Sequence, residues 1–194
     1  MAFIDEDYKE PKTSRYAKIE EGKNKFRILG ESSNGTLIMG SVLWTNNEKG
    51  DRKPKRLMMG EAHQVGDISM NPKTGEMDSP KTFWAFPVWA YASEQVEILE
   101  LTQKTIREAI LELSRNPKWG DPKEYDITIN QIKEKGKTSY TVTPDPKENL
   151  PKEIEEAYKK LPLNLKALYS TKENPFGTDP FVMSAEDVSK AINE

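Results

Sequence analysis

The residues of this chain best suited to chemistry are flat rings and cations, which stack and neutralise. In KTFWAFPVWAY, Phe83, Pro87, Trp89 and Tyr91 alternate with Trp84, Phe86, Val88 and Ala90, so a strand of period two carries aromatics on both faces. A core strand in a small domain commits one face to the interior. Some of Phe83, Trp84, Phe86 and Trp89 are therefore left for another planar partner, and a stacked nucleobase contributes roughly 1–3 kcal/mol whatever its identity. Trp44 ends an earlier β-prone stretch just before a basic loop, NNEKGDRKPKR, where Lys49, Arg52, Lys53, Lys55 and Arg56 oppose only Glu48 and Asp51. Lys133, Lys135 and Lys137 surround Glu134 at the tip of an expected hairpin. Cationic loops beside aromatic strands are the parts of a groove that follows a single strand's phosphates while its bases stack. The competing arrangement buries the rings, with the following helix over one face of the strand and the C-terminal segment over the other.

Other chemistries lack their parts. The 194 residues include no cysteine and one histidine, His63, which excludes zinc fingers, iron–sulfur clusters and thiol nucleophiles and leaves His63 without a partner for a metal or a triad. Neither GxxxxGK[ST] nor GxGxxG is present, so P-loop hydrolysis and dinucleotide binding are unsupported. No enzyme, cofactor or metal is expected; a magnesium nuclease built on scattered carboxylates is the remaining catalytic alternative. With 29 basic and 32 acidic residues and a net charge of −3, the chain is not a generally basic binder, and any nucleic-acid site is a local patch. Residues from Glu148 onward hold six basic and nine acidic side chains, so the tail carries the whole excess. No apolar run approaches the roughly 20 residues of a membrane span, and the start MAFIDEDYKEPK has no signal-peptide core. A soluble intracellular protein without membrane contact is expected.

The elements that must position these residues follow from periodicity. Residues 1–14 read as a flexible arm. Strands are expected in SRYAKIEEG, NKFRILG and TLIMGSVLWT, with a bulge or bend at Gly40, before a long aperiodic loop from Asn46 to about Lys81. After KTFWAFPVWAY and VEILEL, the spacing of Ile106, Ala109, Ile110 and Leu113 predicts a helix over 103–114, N-capped by Thr102 and closed by Asn116-Pro117. A hairpin turning at Gly136 follows, then a helix from Pro151 to Leu161 that packs through Ile154, Tyr158 and Leu161, then a short helix capped by Ser184. This order predicts a mainly β fold with α: an OB-fold, a five-stranded partly open barrel with a helix between strands 3 and 4. The domain spans 15–145, and a C-terminal helical segment with a net-acidic tail spans 146–194.

KIEEGKNKFRILG, the FWAFPVWAY strand running into ILELTQKTI, WGDPKEYDITI and the SYTVTP hairpin resemble the single-stranded DNA-binding proteins of tailed bacteriophages, over roughly residues 15–145. The resemblance implies an OB-fold that binds single-stranded DNA with little sequence preference and protects replication and recombination intermediates in the cytoplasm of the infected host. It also implies replisome or recombination partners recruited through an acidic tail. These properties carry onto Trp44, the Arg52–Arg56 cluster and the Phe83–Trp89 strand. The chain cannot build the cysteine–histidine zinc site of some relatives, and its tail has NPFGTDPF in place of a terminal acidic run ending in phenylalanine. Phe176 and Phe181 are therefore read either as a docking peptide or as a packed C-terminal segment. A tail of net negative charge is also expected to compete with DNA for the cationic groove. The alternative function is a non-catalytic protein–protein adaptor on the same barrel, its aromatics buried.

Overall fold

The computed structural model describes residues 14–182; all but the last residue of the arm expected over 1–14, and the helix expected after Ser184, lie outside them. In chain order the elements are β1 (Tyr16–Ala17), β2 (Gly22–Ile28), β3 (Ile38–Asn46), β4 (Arg52–Met58), β5 (Lys81–Ala90), β6 (Gln95–Leu101), α1 (Lys104–Arg115), β7 (Asp126–Glu134), β8 (Lys137–Pro144) and α2 (Lys152–Lys159), with a late 3₁₀ turn at Leu165–Leu168. The fold is mainly β with two helices. Its eight strands form one sheet in the order β1-β6-β5-β2-β7-β8, with β3 added to β5 and β4 to β3.

That is not the expected five-stranded barrel, because the sheet stays open. β1 pairs in parallel with β6, Tyr16 to Ile98 and Ala17 to Leu99, and so takes the edge of β6 that a closing strand would need. α1 packs against both β6 and β8 across the gap. Its buried Ile106 and Ile110 join Phe26, Ile28, Phe86, Val88, Leu99, Ile127 and Ile129 in the main core. The N-cap is Gln103 rather than Thr102 and makes no side-chain bond, while Asn116 closes the helix as expected, its N–H shared between the Glu112 and Leu113 carbonyls.

Gly40 makes no bulge. β3 runs unbroken past it, paired to Met58 on one side and Phe83 on the other, and a Cβ there would strike the Leu57 carbonyl and the Phe83 ring. The glycine admits a ring and a close backbone rather than bending the strand.

The other face of the sheet is covered by the chain's own C-terminal third. Leu165 and Leu168 close a cluster of Ile38, Val42, Phe83, Ala85 and Ile98. As anticipated, α2 packs through Ile154 with Tyr158 and Leu161, here onto Leu29 and Val96. Two polar devices fasten this cover. Arg27, 1% exposed, bonds Asp126 Oδ1 through Nε at 2.5 Å and donates through Nη1 to the Lys123 and Glu148 carbonyls. At the free edge of β4, the Arg56 N–H donates to Ser170 Oγ (2.9 Å) and the Ser170 N–H donates to the Arg56 carbonyl (2.7 Å). Pro54 is two residues from Arg56 and has the same outward parity, so its missing N–H costs the ladder nothing and blunts the edge.

Candidate nucleic-acid interface

Cross-strand partners share a face, and the registers divide the aromatic candidates. Gly40 opposite Phe83, with Trp44 four residues along β3, puts Trp44, Phe83 and Trp89 on the face covered by the C-terminal third. Met39 opposite Trp84 puts Trp84 and Phe86 on the other face. Phe83 and Phe86 are not available for stacking: they are 0% and 1% exposed. Tyr169 meets Phe83 edge-on at 6.3 Å, and Phe86 lies in the core beneath α1. For these two rings the competing arrangement, helix on one face and C-terminal segment on the other, is the one found. Trp89 is half-buried against the α2 cluster, and Trp84 is half-buried with the Arg107 guanidinium 6.0 Å from its ring centre. Trp44 is the exception, 45% exposed opposite Pro54.

The Arg52–Arg56 cluster lies on a strand, not on a loop, and three of its cations are already engaged. Arg56, 8% exposed, bonds Glu100 through Nε and Nη2 at 2.8 and 2.7 Å. Arg52 pairs with Asp78, and Lys55 Nζ meets both Asp67 oxygens at 2.8 and 2.9 Å. Lys49 and Lys53 are exposed and have no carboxylate partner among the described residues. Lys81 joins them. It is exposed, equally unpaired among the described residues, and in register with Val42 on the face that carries Trp44. It reads in sequence as the mere end of the long loop.

The second cluster sits where expected, at a two-residue turn of Lys135 (φ 48°) and Gly136 (φ 77°), both left-handed as the hairpin twist favours. Lys135 and Lys137 are exposed, and Lys133 lies 3.9 Å from Glu21. β3 runs on past the Lys81 end of β5, whereas β7 runs on past the Gly22 end of β2, beyond Ala90. The two basic tips therefore stand at opposite ends of the strand direction and do not flank one compact site.

Residues 59–80 lie against the far face of the β3–β4 arm, over Leu43 and Thr45, held by the Asp67 and Asp78 ion pairs and by Ser69 Oγ donating to the Trp44 carbonyl. His63 belongs to this packing. Its Nε2 is 3.0 Å from Ser41 Oγ, and its buried Nδ1 has no partner among the described residues, so none of their carboxylates completes a triad. Burial holds the imidazole below its ordinary value, against the attraction of Asp67. A depressed histidine contributes stability above its ordinary value near 6.5 that is lost as pH falls through the folded value. Amide protection factors in residues 59–80, which correct for the slower intrinsic exchange in acid, are expected to fall on acidification below about pH 6.5, and His63→Phe is expected to remove that dependence.

Phe181 is not a free docking side chain: it packs on the second core cluster beneath the Arg15 guanidinium, 5.3 Å away, and Phe176 is half-buried. The backbone around them is tied down by Asn164 N–H to the Pro180 carbonyl and Thr178 N–H to the Ala167 carbonyl, both 2.7 Å. Among the described residues no group of three or more His, Asp or Glu side chains is placed to hold a metal, and no helix is long and apolar enough to cross a membrane. No family model matches the chain, and no curated protein matches it either.

Proposed function

We propose that this chain binds single-stranded DNA without catalysing a reaction and with little sequence preference, chiefly through the β3–β4 arm. The observation that carries the reading is an exposed Trp44 with Lys81 on its own face of the sheet and Lys49 in the adjoining turn, neither with a carboxylate partner among the described residues, while the equally unpaired Lys53 lies on the opposite face of the arm beside Thr45. An isolated indole offers a stacking face, and unpaired lysines exchange counterions for phosphates. Five strands, β2, β5, β6, β7 and β8, with α1 between the third and fourth, keep the element order of an OB-fold; the β3–β4 hairpin is an insertion after the first. The resemblance of residues 15–145 to phage proteins supports reading the bound strand as an intermediate of replication or recombination in a bacterial cytoplasm.

The test is quenching of tryptophan fluorescence by oligo-dT, repeated at several salt concentrations and against duplex. Single strands are expected to quench and be released by salt, with duplex bound much more weakly; equal affinity for the two at matched salt rules the reading out. Lys49 and Lys81 replaced together by glutamine should reduce the slope of log affinity on log salt by about 1.4, at roughly 0.7 per phosphate contact. The adaptor reading draws on the burial of Phe83, Phe86 and Phe181, and it requires that no oligonucleotide bind.

A further inference from the structure

Arginines that leave the surface of this protein have carboxylates waiting: Arg27 has Asp126, Arg52 has Asp78 and Arg56 has Glu100. Arg107 does not. It is half-buried in the first turn of α1; its backbone N–H donates to the Gln103 carbonyl, but its side chain makes no hydrogen bond or ion pair with the described residues, and its Nε is buried without a partner among them. One turn earlier on the same helix face, the buried Oε1 of Gln103 is likewise unpartnered among the described residues. The half-buried Trp84 ring lies beside the guanidinium, and Met39, 38% exposed, is its cross-strand neighbour. A partly desolvated cation and a buried acceptor left unpaired are each costly, so the juxtaposition of donor, acceptor and ring calls for one ligand that satisfies all three.

We infer that Trp84, Gln103 and Arg107 form a subsite for a single nucleotide of a bound strand. The guanidinium stacks by its plane on the base, Gln103 Oε1 accepts a base N–H, and the Trp84 edge bounds the base. Every base offers an N–H or amino donor at its edge, so the subsite tolerates sequence. It rests on the single-strand reading but is separate from Trp44, which lies on the opposite face of the sheet. An oligonucleotide long enough to reach both gains from both.

The experiment titrates the full chain, labelled for arginine Nε–H and indole N–H resonances, with oligo-dT and with an abasic oligonucleotide of the same length. The Arg107 and Trp84 signals are expected to shift with oligo-dT and much less with the abasic strand. Gln103→Ala and Arg107→Gln, checked for an unchanged melting temperature, should each weaken oligo-dT binding roughly 2- to 10-fold, and Trp84→Phe, which keeps the packing, should bind more tightly than Trp84→Ala. If oligo-dT binds and shifts Trp44 while Arg107 and Trp84 stay unmoved, the subsite is wrong and the single-strand reading stands. An equal Arg107 shift with the abasic strand overturns the base contact. If no oligonucleotide binds at low salt, both inferences fall together.

Discussion

Asp126→Ala is expected to lower the unfolding free energy by about 3–5 kcal/mol, the range for removing one member of a buried ion pair, out of the roughly 5–15 kcal/mol that holds an ordinary domain. The substitution strands the Arg27 guanidinium in the interior, and Lys25 loses one of the two carboxylates it bridges at 3.0 and 2.9 Å, keeping only Asp145. Burial pushes the Asp126 carboxyl up, but side-chain bonds from Arg27, Lys25 and Tyr91 outweigh it and hold the group below its ordinary value. The same surroundings push Tyr91 up to about 12, burial first and Asp126 second. A depressed carboxylate contributes stability that is fully present above its ordinary value, near 3.9, and is lost as pH falls through the folded value. Thermal melts from neutral pH down to about 3 should therefore show the wild-type advantage over Asp126→Ala shrinking below roughly pH 4. Equal melting temperatures at neutral pH would contradict the role given to the pair. Replacing Arg27 and Asp126 together by methionine and leucine should recover most of the loss, since a buried pair exchanged for apolar groups of similar volume is often neutral.

Trp44→Ala should weaken oligo-dT binding roughly 5- to 150-fold, the equivalent of about 1–3 kcal/mol for one lost stacking platform. Because the ring is 45% exposed and belongs to none of the core clusters, the melting temperature should change little. The two readouts are thereby separated. Phe83→Leu should do the opposite, shrinking a fully buried ring against Leu165 and Leu168 and lowering stability while leaving the exposed Trp44 in place. Anisotropy of a labelled oligo-dT at fixed salt measures the first effect, and Trp44→Tyr should retain most of the affinity. An Ala variant that binds as tightly as the native chain removes Trp44 from the interface and with it the main support for DNA binding.

What was legible in the sequence was periodicity, and what was not was pairing. α1 declares itself because Ile106 and Ile110 must face one core, and the β7–β8 hairpin because its apolar positions alternate about a turn with Gly136. β4 is silent: RKPKRLM has no apolar alternation, since its faces carry cations matched by Asp67, Asp78 and Glu100, residues distant in sequence that no local charge count reaches. The same separation hides why Arg56 is buried and Lys81 is not. For KTFWAFPVWAY the composition alone could not say which face was covered. Both are, by elements that follow the strand, and that leaves Trp44, at the end of the β3–β4 arm beyond the last β5 pairing, as the exposed ring among the described residues.

The Ser170 clasp on β4 joins residues 114 positions apart, and this has a consequence for the order of events on the ribosome. β4 is synthesised early, yet the group that covers its Arg56 edge emerges only 114 residues later. Leu165 and Leu168, which cover Phe83 and Val42, are equally late. Through most of translation the nascent sheet therefore shows both an open strand edge and an apolar face, the two surfaces that chaperones recognise and that drive misassembly. Pro54 and the cations of β4 interrupt that edge from within its own sequence, so they guard it during the interval before residue 170 exists. Chains stalled before that residue should accumulate with chaperones, whereas chains stalled just beyond Phe181, with enough linker to clear the exit tunnel, should not.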